Sequence, residues 1–176
     1  NYTGALGDFL AAILGSNLGG GDHAASLIDR QVVNWLKQMV GFPEDASGTL
    51  VSGGSMANII ALTVARNAMA DADIREQGIG GLEKPLRYYT SDQVHSCHQI
   101  GMELLGLGNS ALRRIPSLPD CTIDISPLEK AIAEDRAAGF IPACVIGSAG
   151  TVNTGAVDDL PALGDICRRE NMWFHV

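Results

Sequence analysis

The sequence predicts an α/β fold with a mainly parallel sheet and helices on both of its faces. Two observations support this prediction. Short β-branched and aromatic runs alternate with longer helical patterns through the second part of the chain, which is typical of βαβ units. The run "PACVIG" at 142–147 is apolar at successive positions, as expected for a strand that is buried on both faces.

Composition agrees with a packed globular protein and excludes several classes of partner. The 176 residues are 46% hydrophobic and 18% charged, unlike a disordered chain. The net charge is −8 and no Lys/Arg cluster exceeds a pair, which argues against nucleic acid or an anionic membrane as a partner. No apolar run is long enough to span a bilayer. The four cysteines lack CxxC spacing, so we expect reduced thiols in a cytoplasmic protein and no metal site.

The first part of the chain predicts two helices. Residues 5–15 form an apolar helical pattern that ends at Gly15. Ser26 is expected to cap a second helix, and the glycine run at 19–21 predicts a flexible connection between the two. One face of the second helix carries apolar residues at spacings of three and four, namely Ile28, Val32, Trp35, Leu36 and Met39.

The second part predicts alternating strands and helices. Strands are expected near 49–52, 87–90, 113–116, 142–147 and 173–176. Helices are expected at 55–70, 95–108, 126–138 and 161–171. For the third of these helices, Ser126 is the expected cap and Pro127 the first helical residue.

Polar and glycine-rich stretches follow three of the predicted strands. They are "SGGS" at 52–55, "SDQVH" at 91–95 and "SAGTVNTG" at 148–155. In open α/β sheets, ligands bind at the carboxyl ends of the strands. We therefore expect the three stretches to surround one open cleft.

The "SGGS" stretch has the properties of a phosphate site. Gly53 and Gly54 allow close approach of the backbone to a ligand, and the helix that follows directs free N–H groups to the same point. Ser55 adds a hydroxyl. The stretch lacks the lysine of a Walker loop and the spacing of a dinucleotide fingerprint, which argues against ATP and NAD. A tight turn into a buried helix remains the alternative.

His95 is the candidate catalytic side chain. It lies where a strand passes into a helix, on the same sheet edge as the phosphate site, where an imidazole can stack on a planar ligand. A purely structural histidine is the alternative. His98 follows one turn later, but the two form a poor metal pair. His23 and His175 have no partner in the sequence, and we interpret both as structural.

Three segments in this order carry a family resemblance: "GTLVSGGSMANIIALTVAR", "YYTSDQVHSCHQIGMELLGLG" and "GSAGTVNTGAVDDL". The chain resembles the group II pyridoxal-phosphate-dependent amino-acid decarboxylases, a family that includes the aromatic-L-amino-acid, histidine and glutamate decarboxylases. The similarity extends over essentially the whole chain. Three ordered motifs are far more specific than any one of them.

The resemblance implies part of the large domain of a fold-type I pyridoxal-phosphate enzyme. Residues 1–45 would form an N-terminal helical segment, and residues 46–176 the cofactor-binding α/β segment. Because the chain starts close to a helix and stops within a strand, we expect it to be truncated at both ends. The resemblance also implies a homodimer.

The resemblance assigns roles to four residues. Gly54 and Ser55 would bind the cofactor phosphate, His95 would stack on the pyridine ring and help orient the substrate, and Thr151 would line the pocket near the ring. In the family, an aspartate that pairs with the pyridine nitrogen and a lysine that forms the Schiff base lie further along the chain than Val176. We expect this segment alone to be inactive without them.

The activity implied is decarboxylation of an L-amino acid with pyridoxal 5'-phosphate as the cofactor. The motifs do not indicate which amino acid is the substrate. Two alternatives stay open, because one fold supports many reactions. The first is an aldehyde synthase or a lyase of the same fold, and the second is a non-catalytic truncated homologue.

Overall fold

The computed structural model describes residues 1–15 and 24–176. The predicted glycine connection at 19–21, and His23, lie outside these residues. Contacts within the chain divide it into two compact units, Asn1–Ser52 and Gly53–Val176.

The first helix of the N-terminal unit, α1 (Tyr2–Leu14), is defined at both ends by local hydrogen bonds. At its start, the Asn1 side chain accepts the Gly4 N–H at 2.7 Å. At its end, Gly15 adopts the left-handed conformation (φ 56°) and donates its N–H to a carbonyl of the last turn. The predicted end at Gly15 is therefore confirmed.

The second helix, α2 (Ala24–Val40), begins earlier than predicted. Ser26 lies in its first turn, so the prediction of Ser26 as the cap is wrong. Lys37 lies in the last turn of α2, and its ammonium group donates to the carbonyl oxygens of Glu44 and Ala46, which follow the helix. These bonds hold the connecting chain against the last turns of the helix. Neither α1 nor α2 contains a buried residue, so their apolar stripes are exposed within this unit.

The strand predicted at 49–52 is wrong. Residues 46–51 form neither helix nor strand, and Leu50 is 49% exposed. β-branched residues become a strand only where a neighbouring strand and a buried face are available. This stretch has neither within its own unit.

The C-terminal unit contains a four-stranded sheet in which all pairs are parallel. Its strands are β1 (Leu86–Ser91), β2 (Leu112–Ile115), β3 (Ile141–Ile146) and β4 (Trp173–His175). Their spatial order is β2-β1-β3-β4. The four strands predicted in this unit are thus confirmed, with bounds that differ by at most one residue.

Helices cover both faces of this sheet. They are α3 (Gly54–Met69), α4 (Ile74–Gln77), α5 (Cys97–Leu104), α6 (Ile125–Ala137) and α7 (Leu160–Glu170). Adjacent residues of one strand point to opposite faces, so Tyr88 packs with α3 and α5 while Tyr89 packs with α6 and α7. The predicted α/β class is confirmed.

Aspartates, rather than the predicted serine, begin several of these helices. Asp124 precedes α6 and accepts the Ser126 N–H at 3.1 Å, so the prediction of Ser126 as the cap is wrong. A carboxylate two residues before Ser126 reaches the free amide of the first turn, and its negative charge interacts favourably with the positive end of the helix dipole. Asp73 acts in the same way at the short helix α4, which was not predicted.

Within residues 1–15 and 24–176, no helix combines the length and the apolar character that are needed to cross a membrane.

Candidate active site

The order in which the chain adds strands to the sheet reverses between β1 and β3. The chain leaves β1 to form β2 on one side, then crosses to form β3 on the other side. Such a switch point leaves a crevice between the two strand ends, where ligands bind in open α/β sheets. A cavity of about 150 Å³ lies there, and its walls include Asn58, His95, His98 and residues 147–152.

His95 lies in the loop between β1 and α5, where its side chain is exposed at the cavity. Its Nδ1 accepts the N–H of Cys97 at 3.2 Å, at the start of α5. A neutral His95 ring therefore carries its proton on Nε2. The loop and the helix start together fix the ring's orientation.

His98 supports His95 from behind. Its Nδ1 lies 3.1 Å from the main-chain oxygen of His95. Because a carbonyl oxygen can only accept, this nitrogen carries a proton and donates it. His98 is buried, and this burial lowers its pKa. A neutral His98 thus holds the main chain of His95. Across the part of the chain that the structure describes, no group of three or more His, Cys, Asp or Glu side chains is arranged to hold a metal ion.

Thr151 lines the same cavity from the loop that follows β3. Its hydroxyl lies 2.5 Å from the hydroxyl of Thr154 and accepts the N–H of Ala156 at 3.2 Å. The main-chain N–H of Thr151 also donates to Ala156 at 2.9 Å. These bonds close a tight turn, so Thr151 contributes a fixed wall to the cavity.

The buried carboxylate of Asp158 anchors this loop, a role that sequence reasoning missed. One oxygen accepts the N–H of Ser148 and the other accepts the N–H of Ile123, both at 2.8 Å. The side chain is only 3% exposed. Asp158 therefore joins the end of β3 to the segment before α6. The sequence signal was its position within "GAVDDL", but no local pattern identifies its partners.

Gly54 and Ser55 form the start of α3 and are exposed. The cavity wall does not itself include them, but Asn58 one turn later lines it, and the Asn58 amide donates to the Gly54 oxygen at 2.9 Å. The first three amide N–H groups of α3 have no partner within the helix. The structure thus brings His95 and Thr151 to one cavity and places the start of α3 one helical turn from Asn58, which lines the same cavity.

His175 and Asn58 are further residues at this edge that sequence reasoning missed. The Nε2 of His175 lies 2.7 Å from Oδ1 of Asn58, across 117 positions of sequence. His175 was expected to be a structural histidine without a visible partner. The bond and a ring-to-ring distance of 6.0 Å to His98 place His175 against the residues of the site.

We expect the contribution of His175 to stability to decrease on acidification. Burial, and secondarily the charge of a protonated His98, lowers the pKa of His175 from 6.5 to about 4. Because the unfolded chain binds this proton first, the contribution is complete above pH 6.5 and falls as pH drops towards 4. The loss is at most about 1.4 kcal/mol per pH unit.

The measurement is the difference in urea midpoint between the wild type and His175→Phe, followed from neutral pH to pH 4. Taking this difference cancels the titration of the groups that do not interact with His175. The difference is expected to shrink as the pH falls, and a constant difference would contradict a neutral, half-buried His175.

Comparison with known proteins identifies the family. The model of the family described as "Pyridoxal-dependent decarboxylase conserved domain" matches residues 1–176. An aromatic-L-amino-acid decarboxylase from Bacillus atrophaeus is 42% identical, over 99% of this chain and 35% of its own length.

Solved structures agree. The glutamate decarboxylase domain of a Vibrio parahaemolyticus diaminobutyrate-pyruvate transaminase and L-2,4-diaminobutyrate decarboxylase superimposes with a TM-score of 0.90, at 31% identity over 98% of this chain and 39% of that one. The 4-hydroxyphenylacetaldehyde synthase of Rhodiola rosea gives a TM-score of 0.87, at 26% identity over 100% of this chain and 39% of that one. The chain thus spans little more than a third of these relatives, and it belongs to the pyridoxal-dependent decarboxylase family.

Proposed function

We propose that the complete protein containing this chain decarboxylates an L-amino acid and that the cavity between β1 and β3 holds pyridoxal phosphate. The observation that supports this most strongly is the meeting of His95 and Thr151 at one cavity, at the switch point of the sheet. Two separate motifs thereby line a single site.

The start of α3 suits the phosphate group. Gly53 has φ 154°, a conformation that side chains rarely adopt, and an added Cβ there would meet no atom within 4 Å. The space before the helix is therefore open, and the free N–H groups of the first turn and the Ser55 hydroxyl are suitable donors for an anion. An imidazole face and a threonine wall then suit a flat ring. The residues fit the cofactor.

The cofactor, when bound, supplies a protonated pyridine ring that delocalises the electron pair left on Cα when CO2 departs. The chain's own residues bind and orient. His95 offers a ring face whose rotation is restrained by the N–H of Cys97. Thr151, held by its own loop, would line the pocket beside the ring. Gly54 and Ser55 would hold the phosphate.

We also propose that the protein is a homodimer in the cytoplasm. All four cysteines are free thiols, as expected for a reducing compartment. The exposed apolar side chains of α1 and α2, such as Phe9 at 61% and Leu14 at 75%, support burial against another surface.

The experiment uses the complete protein. Purified apo-protein is titrated with pyridoxal phosphate, and the loaded protein is then assayed with a panel of aromatic, acidic and basic L-amino acids for CO2 and amine. We expect saturable binding and an amine product. An aldehyde in place of the amine would assign the alternative reaction, and failure to bind pyridoxal phosphate would overturn the proposal.

A further inference from the structure

We propose that Asn58 and His175 form a brace across the cofactor-binding edge and that this brace, by positioning the start of α3, sets the affinity for the phosphate of pyridoxal phosphate. The proposal rests on the proposed function, because it assigns the cavity to that cofactor. Both side chains act as positioning residues.

Asn58 connects three elements. Its Nδ2 donates to the Gly54 oxygen at 2.9 Å and lies 3.6 Å from the Cys97 sulfur, in α5. With the amide nitrogen directed at those two acceptors, Oδ1 faces His175 at 2.7 Å. The Nε2 of His175 therefore carries the proton and donates it. One side chain thus ties the first turn of α3 to α5 and to β4.

His175 extends the connection to the loop that carries Thr151. Its main-chain oxygen accepts the N–H of Gly147 at 2.9 Å, at the start of that loop. Space at Gly147 is tight, since an added Cβ would lie 3.0 Å from both Leu160 and Leu163. His175 therefore links the end of β3 to Asn58 and α3, two walls of the cavity.

The brace matters because the strands and α3 are held in different ways. Backbone hydrogen bonds fix β4 to β3, whereas α3 lies on the sheet through apolar packing, which resists sliding less well than directional bonds. Hydrogen bonds from amides to a phosphate are strong only when donor and acceptor are aligned. A small shift of α3 would therefore weaken phosphate binding while the fold persists.

The test measures the dissociation constant of pyridoxal phosphate for the complete apo-protein by fluorescence titration. Asn58→Leu and His175→Phe are each expected to weaken binding about 10-fold, and the double variant also about 10-fold, because both changes remove the same bond. His175→Gln retains an N–H donor of similar reach and should bind nearly as well as the wild type. Pyridoxal, which lacks the phosphate, should show a much smaller loss in the variants.

A core variant serves as the matched control. Leu128 belongs to α6 and packs in the core cluster on the other face of the sheet. Leu128→Ala opens a cavity in that core and should lower the melting temperature without changing the dissociation constant. If the wild type binds pyridoxal phosphate and Asn58→Leu and His175→Phe bind it with the same affinity, the brace is overturned but the proposed function is not. A double variant whose loss of affinity is the product of the two single losses would also overturn the brace. A wild type that does not bind pyridoxal phosphate would overturn the proposed function itself.

Discussion

Replacing His95 by alanine in the complete protein is expected to reduce turnover on the order of 100-fold, the typical cost of losing the positioning of a reacting group. The side chain is exposed, and it accepts the N–H of Cys97 at a helix start. Its removal should therefore change the melting temperature little. The measurement is kcat for CO2 release from the best substrate, with pyridoxal phosphate at saturation.

Two further variants separate the ring of His95 from its hydrogen bond. His95→Asn keeps an acceptor near the position of Nδ1 but has no ring, and His95→Phe keeps a flat ring but has no acceptor. If stacking is the role, His95→Phe retains more activity than His95→Asn. An unimpaired His95→Ala protein would show instead that this histidine is structural.

Replacing Asp158 by alanine is expected to reduce the free energy of unfolding by roughly 2–5 kcal/mol, because the buried N–H of Ile123 and the partly buried N–H of Ser148 lose a charged acceptor. The same change should weaken binding of pyridoxal phosphate, because Asp158 then no longer holds Ser148 and the loop of Thr151 in place. Urea unfolding of the apo-protein gives the first quantity, and cofactor titration gives the second.

The neighbouring aspartate is the matched control. Asp159 caps α7 by accepting the N–H of Ala162 at 3.0 Å from an exposed position. Asp159→Ala should cost only about 1 kcal/mol and should leave cofactor binding unchanged. Equal losses of stability in the two variants would contradict the anchoring role of Asp158.

Much of the fold follows from local patterns. The run at 141–146 is apolar at consecutive positions because both of its faces are covered, and this is visible in the sequence. The stretch 49–52 has similar residues but no pairing partner, which a local pattern does not reveal. At α6, the local pattern predicted Ser126 as the cap, whereas the backbone geometry places Asp124 in that role.

The candidate site was only half visible for a similar reason. His95 and Thr151 belong to polar stretches that follow strands, so topology alone predicts that they meet. The partners of Asn58 and Asp158 lie 117 and 35 positions away, respectively. Such contacts depend on the packing of helices and loops on the sheet, and no periodicity encodes them. The roles of Gly54, Ser55, His95 and Thr151 in cofactor binding remain predictions.

A crystal structure of the complete protein with pyridoxal phosphate is the most direct test of the central claim, that the edge between β1 and β3 is the cofactor site. We predict the His95 ring stacked on the pyridine ring, and the phosphate oxygens at hydrogen-bonding distance, about 2.7–3.2 Å, from the amides at Gly54 and Ser55. Thr151 should lie beside the ring. A cofactor bound elsewhere, or a phosphate held away from the start of α3, would contradict the account.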